Sequence, residues 1–152
     1  MNEWPRTEVR RRIVDLLQHA AGLAHVTVTH SHPPEGLRGE HIWLGSPEGE
    51  LSWPVSQAPG VRCFDDEWTQ PLWLRVESDG DRDGSECDRR IGELAVEVMR
   101  ALSTDLRLGN EAHVTVATIG NANGPGTMRT ETGHDSYVEL TVSVTARMQL
   151  DI

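Results

Sequence analysis

Seven apolar residues at strict period two set the frame of this chain: Val138, Leu140, Val142, Val144, Ala146, Met148 and Leu150. Glu139, Thr141, Ser143, Thr145, Arg147 and Gln149 stand between them. Successive strand side chains point to opposite faces, so the pattern predicts a strand with one buried face and one wet or partner-facing face. At about 3.3 Å per residue this run spans roughly 40 Å, enough to reach past an ordinary domain core.

A buried sheet face needs a cover, and two helical stripes supply one. Val9, Ile13, Leu16, Leu17 and Ala20 recur at helical spacing over 5–21, with Pro5 suited to the first turn and Gly22 to the stop. Ile91, Leu94, Ala95, Val98, Met99 and Leu102 form the second stripe. Ser85 is its expected N-cap, with Glu86 and Asp88 favoured by the helix dipole. Further strands are predicted at 26–30, 40–45, 68–77 and 113–119, and Pro71 implies an edge position or a bulge.

Residues 46–66 and 120–136 read as long irregular loops, broken by Pro47, Pro54, Pro59 and Gly124-Pro125-Gly126. Trp53 and Val55 suggest one short strand in the first of them. Helices are grouped rather than alternating with every strand. The expected fold is therefore α+β: a mostly antiparallel sheet with two helices packed on one face, forming a single domain over residues 1–152.

Charge narrows the function. The chain carries 24 acids against 14 bases, a formal net charge of −10, which disfavours general binding to a phosphate backbone. Acids concentrate between Asp65 and Glu93, predicting a locally acidic face. Every base is Arg and none is Lys, which fits the compositional habit of a GC-rich genome. No apolar run is long enough to span a membrane. Met1–Arg6 lacks the basic-then-apolar pattern of a secretory leader, so export is not expected. Cys63 and Cys87 are too few for a disulfide framework or a zinc knuckle, and a reducing compartment fits them best.

Candidate chemistry is thin. Asp79-Gly80-Asp81-Arg82-Asp83-Gly84 opens like a calcium loop, but its twelfth position is Arg90 where a bidentate Glu is required. A solvated strand-to-helix turn is the expected reading. His25, His30, His32 and His41 could gather around a transition metal, yet no carboxylate or cysteine spacing accompanies them. Gly120–Gly126 is glycine-rich but leads into a strand, without the helix N-terminus that holds a phosphate. No nucleophile motif is present. The expectation is no enzyme, no metal and no cofactor.

Tryptophan carries more weight. Trp43, Trp53, Trp68 and Trp73 fall close together in sequence, and Trp serves both cores and interfaces. Alternation puts Trp43 and Trp73 on faces opposite to Ile42 and Leu72.

As a whole, this layout resembles the tail terminator (tail completion) proteins of long-tailed bacteriophages. The resemblance runs over roughly residues 5 to 150. It is carried by Leu16-Leu17 in a first helix, Glu40-His41-Ile42-Trp43-Leu44-Gly45, Trp53 in a variable loop and Leu72-Trp73-Leu74-Arg75-Val76. The helix Arg90 to Leu102 and a closing strand ending Thr145-Ala146-Arg147 complete it. It implies a homo-hexameric ring on the head-proximal end of the tail tube. Such a ring stops tube polymerisation and presents a surface for head–tail joining. Implied partners are the tail tube protein and the connector or neck proteins. DNA passes through the lumen without specific binding, and no membrane is involved. The implied location is the virion, in its tail or neck, after assembly in the host bacterial cytoplasm.

Within that reading, Trp53, Trp68, Trp73 and Arg75 are expected at subunit or tube contacts. Glu48, Glu50, Asp65, Asp66 and Glu67 are expected to face the lumen, where negative charge lets DNA slide. Competing readings are another neck or tail component, such as a connector or tube subunit, a small metal-dependent enzyme built on the histidines, and a soluble host domain.

Overall fold

The computed structural model describes residues 4–33, 39–52, 61–105 and 114–151. The elements run α1 (Pro5–Gln18), a short 3-10 turn (Ala21–Leu23), β1 (Thr27–Thr29), β2 (Glu40–Leu44), β3 (Glu48–Ser52), β4 (Val61–Asp79), α2 (Ser85–Ser103), β5 (Val114–Arg129) and β6 (Gly133–Asp151). They build one six-stranded sheet in the order β1-β2-β4-β6-β5, with β3 on the same flank of β4 as β2. Among the described strands only the β1–β2 pair is parallel. The α+β class expected from sequence is the one observed.

β4 and β6 are the spine. Each has 19 residues, and they pair antiparallel from Val61↔Asp151 to Asp79↔Gly133. That is roughly 60 Å of ribbon, half as long again as the alternating run alone suggests. β2 occupies the β4 flank at Leu72–Val76 and β3 occupies it at Asp65–Thr69.

The even-numbered face of β4 and β6 is the buried one. Trp68, Leu72, Leu74 and Val76 of β4 join Val138, Leu140, Val142 and Val144 of β6 in one core. Val9, Ile13 and Leu17 of α1 and Ile91, Leu94, Val98 and Leu102 of α2 close it from above. Both helices thus cover the same face. An ion pair from Arg90 of α2 to Glu40 of β2 (Nη2 to Oε1, 2.8 Å) ties helix to sheet and pushes the guanidinium pKa up. At the start of α2 the Cys87 thiol donates to the Val76 carbonyl, and burial raises its pKa.

Several expectations are corrected. Residues 46–66 are not one irregular loop, because β3 fills Glu48–Ser52 and β4 begins at Val61; the strand expected around Trp53 and Val55 lies outside the described residues. Residues 120–136 are not a loop either. β5 continues through Arg129, turns at 130–132 and returns as β6. The first helix stops at Gln18, before the expected end.

Pro71 lies in a central strand, not at an edge. Its carbonyl accepts from Gly45 N on the β2–β3 flank (2.9 Å). In an antiparallel strand a residue's N–H and C=O point to the same side, so the missing N–H falls at the junction where β2 ends and β3 has not begun. Ser85 is the first helical residue rather than the N-cap. Gly84 takes that place at φ 80°, a left-handed conformation suited to glycine. Asp81 does the capping chemistry, accepting from Gly84 N (3.1 Å) and Cys87 N (2.9 Å).

Candidate functional site

The face of the sheet opposite the helices gathers most of the residues singled out by sequence. Odd-numbered residues of β4 and β6 point there, together with Glu48, Glu50 and Ser52 of β3, which stand opposite Thr69, Glu67 and Asp65. Four of the five expected acidic residues therefore share one face: Glu48, Glu50, Asp65 and Glu67. A Cβ at Gly49 would collide with the backbone of Glu67 and Trp68, so glycine lets β3 lie close on β4.

Asp66 is the exception, and its expected lumen role is corrected. It points to the helix side and is 0% exposed. Arg6 grips it with two hydrogen bonds, Nε to Oδ2 at 2.8 Å and Nη2 to Oδ1 at 2.6 Å, and Trp4 Nε1 adds a third at 3.0 Å. The Arg6 guanidinium lies over the rings of Trp4 and Trp68, 4.8 and 5.8 Å from their centroids. A carboxylate with those partners is a structural anchor.

The expected interface tryptophans divide. Trp68 is 3% exposed and belongs to the core, so the contact expected of it is replaced by a packing role inside the subunit. Trp53 lies outside the described residues. Trp73 is half-buried on the helix-free face, directly opposite Trp43 on one side and Glu139 on the other. Arg75 lies two residues along, paired with Glu77 and with Asp135 (3.5 Å), its Cζ 5.8 Å from the Tyr137 ring centroid. Desolvation pushes the Tyr137 phenol up. Tyr137 was missed in sequence. Its signal was the register: period two puts it beside Arg75 only once β4 and β6 are aligned.

At the acidic end is an open depression of about 450 Å³, lined by Glu48, Glu50, Glu67, Thr118, Ser143 and Thr145 among others. Asp65 borders this region, bonded to Arg147 across the strands (2.8 and 3.2 Å), which lowers its pKa. Glu50 and Glu67 stand directly opposite one another. The arrangement is wide, shallow, polar at one end and aromatic at the centre. Trp, Tyr and Arg in that setting suit a contact with another protein.

The other candidates do not converge. His25, His30 and His32 are exposed while His41 is buried. The His32 ring packs edge-on against Trp43, with centroids 4.8 Å apart. Among the described residues no group of three or more His, Cys, Asp or Glu is placed to hold a metal ion. The acids of the calcium-like turn are engaged: Asp79 accepts from Thr132, Asp81 from the α2 backbone, and Asp83 from Ser85, which lowers its pKa. No described helix is long and apolar enough to cross a membrane. No protein-family model matches the chain, and no curated protein matches it either.

Proposed function

We propose that this chain is a structural virion protein that caps the head-proximal end of a phage tail tube as a hexameric ring. In this reading the ring stops tube polymerisation and offers the surface for head–tail joining. The supporting observation is the two-sided sheet. One face is sealed by α1 and α2, and no described helix covers the other, which carries Trp73, Arg75 and Tyr137 at its centre and Glu48, Glu50 and Glu67 at one end. A capping subunit needs such a surface, because it must bind neighbours and tube without closing around a small substrate. The 19-residue strands give the subunit reach from one ring neighbour to the next.

The test is the assembly itself. Purified protein imaged by negative stain, alone and after mixing with tail tube protein, is expected to give six-fold rings and capped tubes of limited length. Tubes that grow unchecked in its presence would contradict the capping role. Self-polymerisation into long tubes would favour the second reading, a tube subunit.

A further inference from the structure

The acidic surface and helix α1 lie back to back. Asp66 sits between Asp65 and Glu67 in β4 but points through the sheet to Arg6 at the start of α1. One end of the sheet therefore carries Glu48, Glu50 and Glu67 on one side and the first turns of α1 on the other. The two sides have opposite charge. With Arg6 spent on Asp66, α1 still carries Arg10, Arg11 and Arg12 against Glu8 and Asp15, a net positive charge, and Glu8 alone takes both Arg11 and Arg12.

Each side also holds charge that goes unmatched among the described residues. Arg10 makes no ion pair there, and its Nε is buried without a hydrogen-bond partner. Burial lowers its pKa. Glu50 and Glu67, across the sheet, are directly opposite like charges, an arrangement that destabilises a strand pair. Neither carboxylate pairs with a described cation.

We propose that these surfaces are the two halves of one contact between copies of this chain. The Arg10–Arg11 side of α1 in one subunit docks onto the depression edged by Glu48, Glu50 and Glu67 in the next. Guanidinium forks match carboxylates in geometry and charge. The halves are different surfaces on opposite sides of one sheet, so the contact is heterologous and closes into a ring when the rotation per subunit permits. The inference rests on the ring reading above and gives that ring its subunit contact. Such complementarity sets orientation and association rate, and added salt weakens it.

Two charge-reversed proteins test it: Glu50→Arg with Glu67→Arg, and Arg10→Glu with Arg11→Glu. Light scattering on a sizing column reads oligomeric state, and circular dichroism checks the fold. Arg10→Gln with Arg11→Gln replaces the second protein if reversal prevents folding; it is then expected to weaken assembly without rescuing its partner. The wild type is expected to assemble, each reversed protein to stay monomeric, and their equimolar mixture to assemble again, because each then meets opposite charge on both sides. Reversed proteins that assemble like the wild type overturn this contact and leave the ring reading standing. A wild type that stays monomeric at its highest soluble concentration overturns both.

Discussion

Arg6 and Asp66 form a two-point ion pair inside the protein, while Asp65 and Glu67 on either side of Asp66 face the other way. The pair fastens the first turn of α1 to the spine of the sheet. Asp66→Ala leaves a buried guanidinium without its carboxylate, and it is expected to cost about 3–5 kcal/mol. Urea unfolding measures this, and a loss below about 1 kcal/mol would show that the pair is not the anchor.

Trp68 and Trp73 are expected to separate stability from assembly. Trp68→Ala removes a core ring and is expected to cost about 3–5 kcal/mol. Trp73→Ala, half-buried on the helix-free face, is expected to cost about 1–2 kcal/mol and to weaken association more than folding. Parallel denaturation and sizing runs on both variants check this. Equal effects of the two on folding would place Trp73 in the core as well.

Relieving the like-charge pair is expected to stabilise the isolated subunit. Glu67→Thr opposite Glu50 should gain about 0.2–1 kcal/mol, because Thr suits a strand and removes one charge. The shift in unfolding midpoint reads it. The same variant is expected to associate less well, since it loses a carboxylate of the proposed contact.

Acid should weaken the fold through its lowered carboxylates. The hydrogen bond from Arg147 lowers Asp65, that from Ser85 lowers Asp83, and that from Arg90 lowers Glu93. A carboxylate lowered in the folded state stabilises fully above its unfolded value, about 4, and that gain is lost as pH falls through the folded value. Unfolding midpoints should stay level from neutral pH to about pH 5 and fall below about pH 4. Since all three groups are solvent-facing, Arg147→Ala is expected to flatten only a small part of that fall.

The elements legible in sequence are those whose inward positions are uniformly apolar. β6 and α2 read directly because Val138 to Ala146 and Ile91 to Leu102 keep their periods unbroken. The first half of β4 did not, because two of its inward residues are polar. Asp66 is satisfied by Arg6, and Gln70 donates to the carbonyls of Gly45 and Pro71 (2.8 Å each), so alternation gave no hint of burial. β5 was hidden for the opposite reason. From Gly120 to Arg129 it is exposed on both faces and held by its pairing with β6, so it carries no apolar period at all. The candidate face followed the same rule. Glu48, Glu50, Asp65 and Glu67 could be named one by one, but only the β3–β4 register shows that they share a face and that Asp66 does not.

The proposed capping role is tested by deleting the gene from a phage that carries it. Negative-stain microscopy of the lysate is expected to show filled capsids beside unjoined tails of uncontrolled length. Normal-length tails beside separate capsids would assign the protein to joining instead. Intact virions would contradict a capping role.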